Sequence, residues 1–262
     1  MYGPFSISGQ QIRVPNWARV GGSTHEHSQK IPLVVLLDSA GERRIYTDWK
    51  YTFCSTFIQG RGFFGIQINL AGYIPRSSVN GPGIRCVLWT QGCPIRCTGC
   101  FNQDLWAFEP RTLLEHTRVA EEIFRCGDID GVTFSGGEPF AQASALAELG
   151  VLVHEKEMSV VTCTGFSHAQ LRHKNRSSWN ALLAVTDLLI AGPFTGGNGA
   201  VVCGDLSHKE MIPLSDRGQA ISDSADKQGE SMEFVIRPDG TVIATGFPDG
   251  EIRRTLREMA GF

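Results

Sequence analysis

From residue 66 onward, short apolar runs alternate with longer stretches of helical period. Ile66 to Tyr73 alternates and predicts an edge strand, while Ile84 to Thr90, rich in β-branched and aromatic residues, predicts a buried one. Leu113 to Cys126 places Val119, Ile123 and Cys126 on one helical face. Gly131 to Phe134 predicts a strand, and Ala141 to Glu155 predicts an Ala/Leu-rich helix with Gly150 inside it or capping it. Ser159 to Cys163 and Asp187 to Ile190 predict two more strands, with a helix over Trp179 to Ala184 between them. Residues 195 to 231 are rich in Gly, Ser and Asp and predict a long irregular stretch. Phe234 to Ile236 and Thr241 to Ala244 flank Pro238-Asp239-Gly240, a hairpin signal, and Asp249 to Met259 predicts a closing helix. Connections this long imply βαβ units and a parallel α/β sheet, whose chemistry gathers at the carboxyl ends of the strands.

Residues 1 to 65 lack this pattern. They hold one apolar run, Ile31 to Leu37, of strand length. His25 and His27 stand in a polar stretch and read as a solvated loop rather than a metal site. The chain therefore divides into an N-terminal extension (1–65), read either as a poorly ordered segment or as translated sequence upstream of the true start, and a domain over 66–262. Every chemical motif lies in the second part, so the first is expected to be dispensable for it, unless Ile31 to Leu37 covers a sheet edge.

The 262 residues suffice for a substantial core. The net charge of −3 offers no basic stripe, so nucleic acid is not the expected partner. No apolar run reaches the roughly 20 residues of a membrane helix, and no signal peptide is visible. The chain reads as cytoplasmic, where its eight cysteines point to metal or redox work rather than disulfides.

Three cysteines are clustered. Gly92-Cys93-Pro94-Ile95-Arg96-Cys97-Thr98-Gly99-Cys100 gives the spacing C-x-x-x-C-x-x-C. Such a loop wraps thiolates around one inorganic centre. An iron–sulfur cube takes four cysteines, so three local ones leave one iron open. On the residues alone, a structural zinc site completed by Cys86 or His116, or a thiol pair at Cys97 and Cys100, stays open as well. Cys86 and Cys163 lie within strands and read as buried thiols, and Met158 and Met232 as core. At the end of the next predicted strand stands Ser135-Gly136-Gly137-Glu138-Pro139, where successive glycines let backbone groups approach a ligand.

Cysteine loop and glycine turn together resemble the radical S-adenosylmethionine superfamily. Asn80-Gly81-Pro82-Gly83-Ile84-Arg85, Gln91-Gly92-Cys93-Pro94, Gly99-Cys100-Phe101-Asn102, Asp130 to Phe134 and Asp187 to Phe194 resemble, more narrowly, the activating enzymes of glycyl-radical proteins, above all the activase of anaerobic ribonucleotide reductase. The resemblance implies a partial, open (β/α) barrel. It implies one 4Fe–4S cluster on Cys93, Cys97 and Cys100. It implies that Gly136, Gly137 and Glu138 help to seat S-adenosylmethionine and that Thr164 and Gly165 line its ribose side, although those two residues are equally well a strand-terminating turn. It implies reductive cleavage to a 5′-deoxyadenosyl radical, a glycyl-radical partner enzyme as target, and an electron donor such as flavodoxin or ferredoxin. Arg85 is expected to hold a carboxylate or phosphate at the site mouth. No individual side chain is singled out as catalytic.

This sequence departs from the family in places. Many superfamily members carry an aromatic residue just before the third cysteine; here it is Gly99, as in the ribonucleotide-reductase activases, with aromatic Phe101 just after. Ala191 stands where those activases commonly carry an acid, and Thr195 to Gly199 replaces a Gly-Ser-rich segment containing Asn-Gln. Two other functions remain on the table at this level: a radical enzyme acting on a small molecule or peptide, and a non-catalytic zinc-binding adaptor.

Overall fold

The structure, a computed structural model, describes residues 66–98, 100, 102–194 and 209–225 and five strand segments outside them. Those segments are β1 (Phe5–Ser6), β2 (Leu33–Leu37), β3 (Arg43–Thr47), β11 (Met232–Ile236) and β12 (Val242–Gly246). Between them run β4 (Gln67–Ser77), β5 (Arg85–Thr90), β6 (Thr112–Glu115), α1 (His116–Phe124), β7 (Gly131–Gly136), α2 (Ala143–His154) and β8 (Ser159–Cys163). There follow α3 (His168–Lys174), α4 (Ser177–Ala184), β9 (Leu188–Ala191), β10 (Glu210–Pro213) and α5 (Asp216–Ala225).

Seven strands form a mixed sheet in the order β10-β9-β8-β7-β5-β4-β6. Its four central strands, β5, β7, β8 and β9, are parallel, and antiparallel strands flank them. Every residue of these four strands is buried, as expected of parallel strands covered on both faces. On one face, Cys86, Leu88, Val132, Phe134, Val160 and Leu189 meet Val119, Ala120 and Ile123 of α1, Leu146, Leu149 and Val153 of α2, and Leu182 of α4. Each such fully buried aliphatic side chain contributes roughly 1.5–3 kcal/mol. Gly150 lies inside α2, where a Cβ would strike Val185, so it sets the close approach of α2 to the end of α4.

Several elements differ from the sequence reading. β4 is flanked on both sides, and the edge belongs to β6, three of whose four residues fall within the predicted helix. Within the stretch expected to be irregular, β10 and α5 form and extend the sheet beyond β9. The helix α3 was not foreseen, although Ser167 and Gln170 complete a capping box at its start. The predicted hairpin pairs as β11 with β12. The predicted helix over Asp249 to Met259, together with His25, His27 and Thr195 to Gly199, falls outside the described residues.

The apolar run of the extension does form a strand, but β2 does not join the main sheet. It pairs with β11 and β3 in a second, five-stranded sheet of order β1-β12-β11-β2-β3. Val235 of β11 packs with Ile74, Val87 and Trp89 on the face of the main sheet opposite the helices, and Thr245 of β12 donates to Asn80.

Arg85 corrects the sequence reading most sharply. It opens β5, opposite Gly131 at the start of β7, and so lies at the amino ends of the parallel strands. It is fully buried. Its Nε donates to Thr133, Nη1 to the Pro82 carbonyl, and Nη2 to the Val132 carbonyl and to both oxygens of Ser159, all at 2.8–3.0 Å. A Cβ on Gly131 would overlap the Ser159 carbonyl and crowd this guanidinium, so the glycine makes room for the clamp. Burial lowers the Arg85 pKa to about 10, against the opposing charges of Asp130 and Asp187. With all three nitrogens engaged by protein, Arg85 holds no substrate group; it ties β5, β7 and β8 together at their base.

Candidate active site

The sequence motifs converge at the other, carboxyl end of these strands. The chain leaves β5 through Gln91, whose amide donates to Asn69, and turns at Gly92, which has φ +97°. The Gly92 and Cys93 amides donate to the Leu105 and Trp106 carbonyls at 2.9 and 3.2 Å, which pins the start of the cysteine loop to the segment that follows it. The Cys100 amide donates back to the Cys97 carbonyl at 3.1 Å. Cys93 is buried, and Cys97 and Cys100 are half-buried; all three are free thiols. Burial pushes the Cys93 thiol pKa up and the neighbouring Glu138 and Cys100 add to the rise, while backbone hydrogen bonds from Arg96 and Ile95 oppose it.

The glycine turn is docked directly on this loop. The Gly137 amide donates to the Thr90 carbonyl at 2.8 Å, and the Glu138 amide donates to the Gly92 carbonyl at 3.0 Å. At Gly137 a Cβ would collide with the Gly92 carbonyl, so no larger residue permits this approach. The Glu138 side chain is almost wholly buried. Its Oε1 accepts from the Phe140 amide at 3.0 Å and from Thr164 Oγ1 at 2.9 Å, and its Oε2 accepts from the Gly165 amide at 2.9 Å. Ile95 of the cysteine loop in turn rests against Gly165. Thus the ends of β5, β7 and β8 form one bonded assembly, and the eight residues expected to hold the cluster and S-adenosylmethionine, Cys93, Cys97, Cys100, Gly136, Gly137, Glu138, Thr164 and Gly165, belong to it. The Glu138 carboxylate is spent on holding that assembly, which the sequence did not disclose.

Burial raises the Glu138 pKa from 4.5 to about 7, against hydrogen bonds that favour the charged form. Folded protein therefore keeps the proton over a range in which unfolded chain has lost it. The stability this gives is fully present below pH 4.5 and is lost as pH rises toward 7, by an amount on the order of 3 kcal/mol. Glu138→Gln cannot titrate, so wild type should weaken relative to it between pH 5 and 7.5. Urea midpoints of the two proteins whose difference stays constant over that interval would refute this.

Lys209, which opens the β10 segment, was missed. Its Nζ donates to the Gly192 carbonyl at 2.8 Å, at the end of β9. Burial lowers its pKa, while Cys163, Cys97, Glu138 and Cys100 act in the opposite direction, which places a cation among the site's acidic groups. Ala191 is fully buried with Leu189 in the core beneath the helices, and so offers no group to this site. Cys163 lies on the opposite face with Val161, Leu188 and Ile190, buried as expected, and burial raises its pKa.

The partners considered for a zinc site do not join the three cysteines. Cys86 is fully buried beside Cys126 under the helices, and His116 sits on the edge against the Ile66 carbonyl. Among the described residues, no three His, Cys, Asp or Glu side chains converge as closely as a single metal ion requires. A cube distributes its ligands over separate irons, so three free thiols on one short loop fit that larger group.

A 4Fe-4S single cluster domain matches residues 79–199, which spans the loop, the turn and the three strands that carry them. The anaerobic ribonucleoside-triphosphate reductase-activating protein of Vibrio cholerae is 31% identical over 143 residues, covering 48% of this chain and 84% of that protein. The chain belongs to the radical S-adenosylmethionine activases of glycyl-radical enzymes. The corresponding protein of Haemophilus influenzae is 30% identical over 48% of this chain and 84% of its own length. The pyruvate formate-lyase-activating enzyme of Streptococcus mutans is 38% identical over 119 residues, but this chain spans only 45% of that enzyme's length. Among the described residues no helix of this activase is long and apolar enough to cross a membrane.

Proposed function

We propose that Cys93, Cys97 and Cys100 hold one 4Fe–4S cluster, and that the chain uses it to cleave S-adenosylmethionine and place a radical on a glycine of a partner enzyme, such as an anaerobic ribonucleotide reductase. The observation that carries this reading is the hydrogen bond from the Glu138 amide to the Gly92 carbonyl, because it fixes the glycine turn against the cysteine loop. A cluster held on these three thiols would supply the one electron that reductive cleavage of S-adenosylmethionine to methionine and a 5′-deoxyadenosyl radical requires.

The chain's residues bind and orient the reactant. The backbone at Gly136 and Gly137 receives the amino group of S-adenosylmethionine, and Thr164 and Gly165 bound the ribose side. Glu138 fixes the spacing between those two turns, which keeps the reacting atoms in register. Lys209 supplies positive charge facing the thiolates. Burial of the parallel strands beneath excludes water from below. A partial, open barrel suits a protein target, since a loop of the partner enters from the side. Reduced thiols and an oxygen-sensitive radical suit the cytoplasm. The division into residues 1–65 and 66–262 stays part of this reading.

Anaerobically reconstituted protein with S-adenosylmethionine and dithionite should form 5′-deoxyadenosine. Adding a candidate partner should give an electron paramagnetic resonance doublet whose main splitting collapses when glycine is deuterated at Cα. Abundant 5′-deoxyadenosine without a protein radical would redirect the reading to a small-molecule or peptide substrate.

A further inference from the structure

The segment from Ser159 to Thr186 contains no Asp or Glu. Near its middle, α3 ends in Arg172, His173 and Lys174, and Arg176 caps the next helix. All four are exposed. Among the described residues none of them takes part in a salt bridge. Two are nonetheless held in place by aromatic rings. Lys174 Nζ lies 5.2 Å from the Phe166 ring centroid and 5.5 Å from that of Trp179, and the Arg176 guanidinium lies 4.9 Å from the Trp179 ring.

These cations stand on the wall of a cavity of about 850 Å³. Pro94 and Ile95, the two residues after the first cysteine, line the same cavity, as does Gly165. Among the described residues no carboxylate lines it. A chain of net charge −3 has thus gathered unpaired positive charge beside the outer flank of its cysteine loop. Arg96, exposed on that loop, adds to it.

We propose that this cavity and its basic rim are the docking face for an acidic one-electron carrier protein. The inference rests on the reading that the cysteine loop holds the cluster. Each cleavage consumes one electron from outside. The C–S bond then breaks to methionine and a carbon radical, which takes a hydrogen atom from the target, so the carrier must return for every turnover. The inner side of the loop is closed by the glycine turn; its outer side, at Pro94 and Ile95, faces the cavity. A carrier seated there touches the loop itself. Cations on aromatic platforms lose little freedom on binding, and like-signed charge around a concave face speeds the encounter with an acidic partner.

The test compares two reductants on the cluster-loaded protein, with 5′-deoxyadenosine as readout. Lys174→Glu combined with Arg176→Glu should slow the reaction driven by reduced flavodoxin at least about ten-fold at low salt. The reaction driven by dithionite should stay within about two-fold of wild type. The wild-type rate with flavodoxin should fall steeply with added salt, and the variant's should not. Arg172→Glu, on a side chain with no ring contact, should act in the same direction even if the double variant folds poorly. Flavodoxin-driven rates unchanged in every variant would overturn the proposal. So would an equal fall with both reductants in Arg172→Glu, or normal flavodoxin turnover with poor activation of a partner enzyme, which would assign the face to that partner. If wild type forms no 5′-deoxyadenosine with dithionite, the underlying reading of the cysteine loop has failed and this one falls with it.

Discussion

Cys93→Ala protein, reconstituted without oxygen, should retain no cluster: iron should fall from about four atoms per chain to background, and 5′-deoxyadenosine formation should cease. Cys93 is the most enclosed of the three thiols, and its loop is pinned at both Gly92 and Cys93, so no donor among the described residues is placed to replace it. Cys97→Ala and Cys100→Ala should behave alike. The informative control is Cys163→Ala. Cys163 is buried at the end of β8, and its thiol is near enough to Glu138 and Lys209 for their charges to act on it. Among the described residues it is the thiol outside the loop best placed to compete as a ligand, yet it lies in the sheet's apolar cluster with Val161 and Ile190. Full iron in Cys163→Ala is the expected result; loss of iron there, or retention in Cys93→Ala, would show that the ligand set is wrong.

Arg85→Met should cost roughly 3 kcal/mol or more of stability, because a methionine of similar length leaves the carbonyls of Pro82, Val132 and Ser159 buried without their donor. The clamp is at the amino ends of the strands and the site is at the carboxyl ends. Variant protein that does fold should therefore bind S-adenosylmethionine with nearly unchanged affinity. Urea unfolding and a binding titration on the same preparation separate the two effects. A shift in unfolding below about 1 kcal/mol would mean the clamp is dispensable. Normal stability with a large loss of affinity would return Arg85 to the substrate.

The contrast between these two residues shows what was readable in advance. Cysteine spacing and consecutive glycines are local patterns with few physical explanations, and each follows a strand whose composition marks it as buried. Their meeting at one rim followed from βαβ order alone. Arg85 carried no such signal, since a strand's sequence does not say whether its first residue faces a ligand or a neighbouring backbone. Lys209 is remote in sequence from every motif, and only the antiparallel return of β10 beside β9 brings it to the site. Glu138 was placed at the correct turn, but its three hydrogen bonds run to residues as far on as Thr164 and Gly165. The four-residue β6 is too short for its periodicity to stand out. The capping residues of α3, in contrast, were present in the sequence and would have revealed that helix.

The second sheet has a bearing on how the chain is made. Leu33 pairs with Ile236, so about 200 residues must leave the ribosome after β2 before its partner in β11 exists. Until then β2 and β3 have only each other, and a lone two-stranded hairpin is marginal in water. The motif-bearing strands β5 to β9 complete their pairing within that interval. Synthesis thus delivers the part that carries the cysteine loop first and leaves the two ends of the chain to be joined last. Shortening the protein at its start and shortening it at its end would strike the same sheet.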